Sequence, residues 1–103
     1  MADVHLLEAT VVVVEEHVSF TLPALCRACG AEPELLESMV SEGLLRPAGQ
    51  GPADWQFAGD ALPQARRAAR LARDLELDLP AVVLVMDLLA EIDRLRARLA
   101  RFA

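Results

Sequence analysis

The chain has 103 residues, 54% of them hydrophobic and 25% charged, with a formal net charge of −6. That length allows one domain with a modest core, and that apolar share argues against disorder over most of the chain. The acidic balance argues against nucleic acid as the main partner, and no apolar run reaches the roughly 18–20 residues needed to span a bilayer.

The N-terminus lacks the charged start and small-residue cleavage site of a signal peptide, so a cytoplasmic protein is expected. Charge is divided unevenly. Residues 1–60 hold ten acidic groups against only Arg27 and Arg46, whereas residues 61–103 hold six acidic groups and eight Arg. The two halves therefore face different electrostatic tasks or bind each other. No Lys is present, a bias that a GC-rich genome produces without any binding role.

Residues 1–19 form an N-terminal segment in which the β-branched run at 9–14 predicts a strand. A helix-turn-helix follows over 20–47. Thr21 is a suitable N-cap for its first helix, and Pro23 falls in the first turn, where its missing N–H costs nothing. Leu22, Leu25 and Cys26 share one face, and Gly30 supplies the C-terminal turn. A second helix is expected over 32–42, with Leu35, Leu36, Met39 and Val40 as its apolar stripe and Gly43 as its stop.

Cys26 and Cys29 form a Cys-Arg-Ala-Cys unit. A zinc site would need two further ligands at suitable spacing, and His5 and His17 do not supply a paired motif. A redox pair would need a βαβ setting, which the pattern lacks. The simpler expectation is a small buried Cys26 on a short helix, with no metal and no cofactor.

Residues 48–58 are rich in Gly and Pro and end in Trp55-Gln56-Phe57, which reads as a small β-hairpin wing. A third helix is expected over 60–76, with Asp60 as N-cap and Pro63 in the first turn. Leu62, Ala65, Ala69 and Ala72 or Leu75 would face inward. Arg66, Arg67, Arg70 and Arg73 would wrap the other side, either as an anion-binding stripe or as a solvated face that balances the acidic half. The fourth and longest helix is expected over 79–102. Its first half, Ala81-Val-Val-Leu-Val-Met86, is apolar nearly all round and is expected to be buried. In its second half Leu88, Ile92, Leu95, Leu99 and Phe102 are spaced 4, 3, 4, 3, a coiled-coil seam of about two heptads. So short a seam is unstable alone, and no partner seam is visible elsewhere in the chain. A homodimer through this helix follows, with Glu91 meeting Arg98 of the other copy if the pair is antiparallel.

The fold class is therefore mainly α, a single domain with a helix-turn-helix, a small β element and a long C-terminal dimerisation helix. Neither His lies near a nucleophile or a carboxylate at a telling spacing, and no Gly-rich phosphate loop is present, so an enzyme is not expected.

The second helix has the layout of a recognition helix leading into a wing. A DNA-reading helix needs cations for phosphates and for guanine edges. This one carries Glu34, Glu37 and Glu42 and no Arg before Arg46. The expected partner-binding face is this acidic cluster, rimmed by Asp54 and Trp55, although each carboxylate taken singly reads as an ordinary solvated side chain. Trp55 and Phe57 are read first as packing residues.

The pattern resembles the MerR-type winged helix-turn-helix. The segments that carry the resemblance are Phe20-Thr-Leu-Pro-Ala-Leu-Cys-Arg-Ala-Cys-Gly-Ala, Ser41-Glu-Gly-Leu-Leu-Arg-Pro47, Trp55-Gln-Phe and Asp60-Ala-Leu. Within that superfamily the chain is most similar to the chaperone-modulator CbpM family. That likeness rests on Arg66-Arg-Ala-Ala-Arg-Leu-Ala-Arg-Asp-Leu-Glu-Leu-Asp-Leu-Pro-Ala-Val82, on Met86-Asp-Leu-Leu, on Leu95, and on the Arg-Leu-Ala-Arg-Phe ending at Phe102. Where DNA-binding relatives place Arg and aromatic residues, this chain has Glu37, Ser38, Met39 and Val40. Metal-sensing relatives add Cys near the dimerisation helix, whereas no Cys follows Cys29.

The resemblance implies a modulator that binds the J domain of a CbpA-like, DnaJ-type co-chaperone and blocks its work with Hsp70. J domains offer a basic helix, which an acidic face would attract. The alternative is a MerR-type DNA-binding transcriptional regulator using Arg66, Arg67 and Arg70 on phosphates. A third reading is a small-molecule sensor using the apolar stretch Val82 to Leu89.

Overall fold

The computed structural model describes residues 11–14 and 17–102. Strands β1 (Val11–Val14) and β2 (His17–Phe20) pair antiparallel, with Val11 opposite Phe20 and Val14 opposite His17. Helices α1 (Leu22–Cys29) and α2 (Pro33–Ser41) follow. Strand β3 (Phe57–Ala58), helix α3 (Ala61–Asp74) and helix α4 (Leu79–Arg101) complete the chain.

Strand β1 does not pair with the wing. Residues 11–14 lie at one edge of a three-stranded sheet in the order β1-β2-β3, and β2 stands between them and the wing. Positions 1–8 of the N-terminal segment, and 9 and 10 of the expected strand, lie outside the described residues. Strand β2 was not anticipated, because His17-Val-Ser-Phe20 is too short to show a period against the helix start that follows it. The wing is correspondingly not a free-standing hairpin. Ala48 and Gln56 exchange backbone hydrogen bonds of 3.0 and 2.9 Å. Beyond them β3 turns to β2, pairing Phe57 with Phe20, and Ser19 Oγ donates to Gln56 Oε1 at 3.0 Å. The loop between folds tightly at Gly49 (φ +120°), where any Cβ would stand 2.7 Å from the Asp54 carbonyl oxygen.

Helix starts and stops follow local chemistry. Thr21 accepts from Ala24 N at 3.2 Å and Asp78 from Ala81 N at 3.0 Å, each followed by Pro in the first turn. Gly30 ends α1 in the left-handed region, at φ +66°. Asp60 is different. It stands at the N-cap of α3, but its own φ and ψ are helical and its carboxylate accepts no capping hydrogen bond. The expected side-chain cap fails because a capping carboxylate needs an extended backbone to fold back.

The core joins Leu22, Leu25 and Cys26 of α1 to Leu36 and Met39 of α2, Leu45, Phe57 of β3, and Ala61, Ala65, Ala68 and Ala69 of α3. Four buried Ala on α3 let neighbouring helices approach closely, while Phe57 fills the volume that they leave. Helix α4 contributes only Val82 as a fully buried side chain. The apolar first half of α4 was expected to be buried, and it is so only in part. Leu84 is 60% exposed, and Val83, Val85 and Met86 are partly covered. Of the two alternatives for the last inward position of α3, Ala72 packs against the core, whereas Leu75 is 60% exposed, because α3 has ended at Asp74 and the chain turns there. That turn uses Glu76 at φ +52°, the one non-Gly residue with positive φ among those described. From Glu91 to Phe102 every residue of α4 is exposed. The helix therefore projects from the core, and the Cα radius of gyration of 15.4 Å exceeds the roughly 13 Å of a compact domain of this length.

Candidate interaction surfaces

Helix α2 is anchored by Leu36 and Met39, both fully buried, with Leu35 and Val40 half-covered on either side. Helical geometry then turns Glu34 and Glu37 away from the core, one turn apart. Glu34 is exposed and Glu37 half-exposed. Glu42 lies past the helix end, at the C-cap, about 12 Å along the axis from Glu34. The three carboxylates thus line one element without forming a single tight cluster.

Their positions differ electrostatically. Glu34 is in the first turn, where a carboxylate complements the positive end of the helix dipole, so it has a sufficient structural reason to be acidic. Glu42 is at the negative end, and the last turn holds no basic residue. A carboxylate there opposes the dipole. The fold does not explain Glu42.

Asp54 is exposed on the wing loop and donates its backbone N–H to the Gly51 carbonyl at 2.8 Å. Trp55 is half-buried, edge-on to Phe57 with ring centroids 5.9 Å apart. Phe57 is core, as read from the sequence. Trp55 packs on it and keeps part of its surface open.

Helix α3 turns Arg66, Arg67, Arg70 and Arg73 outward. Arg73 pairs with Asp74 at 3.4 Å. Arg66 Nη2 donates to the Ala28 carbonyl at 3.3 Å and so serves the C-terminus of α1. That structural job for one member of the stripe was not visible in the sequence, because the contact spans 38 positions.

Both thiols are free. Cys26 is buried and Cys29 half-buried. Burial is the main cause that raises both above the ordinary thiol range, and for Cys26 the nearby Cys29, Glu32 and Glu34 add to it. Such thiols are poor nucleophiles and poor metal ligands at neutral pH.

The seam residues Leu88, Ile92, Leu95, Leu99 and Phe102 are all exposed, Phe102 at 83%. The open stripe also begins earlier than the sequence reading placed it, at Leu84. The signal was the four-residue step from Leu84 to Leu88, hidden inside a run that is apolar on every face. Beside this stripe Arg94 donates to Glu91 within the helix, which lowers the Glu91 pKa. The opposite side of α4 borders an open groove of about 300 Å³ lined by Leu44, Arg67, Val83, Met86, Asp87 and Asp93. Three charges on so open a groove differ from the enclosed, mainly apolar cavity that a small ligand needs. Among the described residues no helix is long and apolar enough to cross a membrane.

A family model described as MerR HTH family regulatory protein matches residues 20–103. The chain belongs to the MerR helix-turn-helix family, among its CbpM-type members. The chaperone modulatory protein CbpM of Coxiella burnetii is 32% identical over 88 residues, covering 85% of this chain and 83% of that protein. The CbpM proteins of Pseudomonas putida and Salmonella newport are 34% and 37% identical over 92 residues, each match covering 82% of this chain and 91% of the relative. The family match begins at Phe20, the last residue of β2, and takes in the helix-turn-helix, the wing, α3 and α4.

Proposed function

We propose that this protein is a non-enzymatic chaperone modulator that acts in the cytoplasm by binding the J domain of a CbpA-like, DnaJ-type co-chaperone and obstructing its engagement of Hsp70. The names of its relatives support the chaperone-modulating role. The observation that carries the finer reading is α2, the second helix of the helix-turn-helix, which together with its C-cap presents Glu34, Glu37 and Glu42 and no cation. Such a surface repels phosphates and attracts a basic helix. Asp54 extends the negative surface onto the wing, and the open part of Trp55 offers the apolar anchor that such contacts usually need. Two copies associate through the α4 seam, since exposed apolar patches of this extent mark interaction sites.

Isothermal titration against the J domain of the host's CbpA-like co-chaperone tests this, with the J domain of DnaJ as control. Binding to the first alone is the expected result. Loss of that binding in the Glu34→Ala, Glu37→Ala, Glu42→Ala triple variant assigns the face, and retained binding removes it. Salt-sensitive retention on DNA with no J-domain binding would instead favour a transcriptional regulator using the α3 Arg stripe.

A further inference from the structure

Helix α4 has two unlike long faces. The seam residues lie on one. Val83, Met86, Asp87, Ala90 and Asp93 recur at steps of three, one, three and three, which gathers them on the side away from the seam. They form one wall of the open groove of about 300 Å³, facing Leu44 and Arg67. The floor is apolar and continuous with the core, since Leu44 and Met86 pack against the buried cluster and still keep part of their surface open. The rim is charged. Asp87 and Asp93 are exposed, and neither is neutralised from within the fold, because among the described residues the ion pairs are Arg73 with Asp74 and Arg94 with Glu91. Glu42 directly precedes the Gly43-Leu44 step of the facing wall. The groove thus continues the acidic surface of α2 and adds what that surface lacks, an apolar floor.

We propose that this groove receives an apolar side chain of the basic partner helix, seated on Leu44, Val83 and Met86, while the cations that flank it meet Asp87, Asp93 and Glu42. This rests on the J-domain reading above and adds the place of its apolar contact. From Val83 to Asp93 the lined stretch of α4 is about 15 Å long, which matches about ten residues of helix. An amphipathic helix laid in such a groove turns an apolar residue into it every three or four positions. Charge selects the occupant. An acidic helix or a phosphate backbone would bring like charge onto two unpaired carboxylates, whereas a basic helix relieves them. Groove and seam occupy different sides of α4, so self-association leaves the groove open.

Titration of the J domain of the host's CbpA-like co-chaperone into matched variants tests the proposal. Ala90 is exposed in the groove wall, and Ala97 is exposed about two turns further along the same side of α4, outside the groove. Ala90→Arg and Ala97→Arg therefore add the same charge to the same helix, and only the first fills the groove. Ala90→Arg is expected to weaken binding about tenfold, and Ala97→Arg to leave it within about twofold of the native chain. Native affinity in both variants would overturn the proposal, and so would equal losses, which added charge alone explains. The Asp87→Asn, Asp93→Asn double variant leaves the groove open and discharges its rim. It is expected to bind several-fold more weakly and with a shallower dependence on salt. Unchanged affinity and salt dependence there would overturn the charged contact. The two readings fail separately. No binding by the native chain overturns the J-domain reading and this one with it, whereas equal binding by the native chain and Ala90→Arg overturns the groove alone.

Discussion

Arg66 on α3 donates to the Ala28 carbonyl on α1 at 3.3 Å, joining two helices through residues that are 38 positions apart in the chain. Its guanidinium stands at the negative end of α1, where cations are favourable and where orphan carbonyls need partners. The Arg stripe is therefore not uniform, since one of its members is occupied within the fold.

Arg66→Ala should accordingly lower stability by roughly 0.5–1 kcal/mol, the scale of a solvent-screened hydrogen bond at a helix terminus. Arg67→Ala, one position along the same exposed face, should change it little. Urea unfolding of the two variants side by side checks the difference, and equal effects would mean that the Ala28 contact is energetically idle.

Glu42 gives a prediction in which stability and binding move in opposite directions. Glu42→Gln removes a carboxylate from the negative end of α2, so the melting temperature should rise slightly, by the equivalent of about 0.3–1 kcal/mol. J-domain affinity should fall several-fold. Thermal melts and titration of one preparation read both. A gain in stability with unchanged affinity would place Glu42 outside the interface.

Glu76 occupies the left-handed region between α3 and α4. A side chain there is strained by roughly 1 kcal/mol relative to Gly. Glu76→Gly should stabilise the fold by part of that amount, offset by the added freedom of the unfolded chain, while Glu76→Val should destabilise it clearly. Denaturant midpoints for the two variants test the sign.

The thiols yield a pH prediction. Both are raised above the ordinary thiol range, chiefly by burial. In the unfolded chain they ionise at lower pH than in the folded one. Their stabilising contribution is thus complete below the ordinary thiol pKa and is lost as pH rises through and above it. Stability should decline in mildly alkaline buffer, and Cys26→Ala with Cys29→Ala should flatten that decline. With iodoacetamide at neutral pH, half-buried Cys29 should react before Cys26, and both more slowly than in denaturant.

Leu95→Asp places a charge in the middle of the α4 seam. Light scattering should report a monomer with unchanged helical content in the core. A dimer surviving this change would move self-association to another surface.

Much of the fold was legible because each helix announces itself twice, by a stripe and by its punctuation. Thr21 with Pro23, and Asp78 with Pro80, start their helices as expected, and Gly30 stops α1. What escaped was tertiary. Strand β2 has four residues and earns its strand geometry from neighbours on both sides, so local pattern alone could not reveal it. Leu84 and Leu75 looked like core because sequence records apolarity and not whether one chain holds enough surface to cover it. Asp60 had a capping residue's identity without a capping backbone. Glu34, Glu37, Glu42, Asp54 and Trp55 were readable as a charge pattern, but their separation along α2 and the wing depends on where that helix ends.

Val82 is the one side chain by which α4 is fully sunk in the core, and twelve residues from Glu91 to Phe102 touch little else. Amide exchange along this helix should therefore be graded. Near Val82 its rates are set by global unfolding. Toward Arg101 they are set by local fraying in a lone chain and by dissociation in an assembled one. On the proposed pairing, the far end of α4 would convert protein concentration into structural order, so that the amount of protein present decides how much of its longest helix persists.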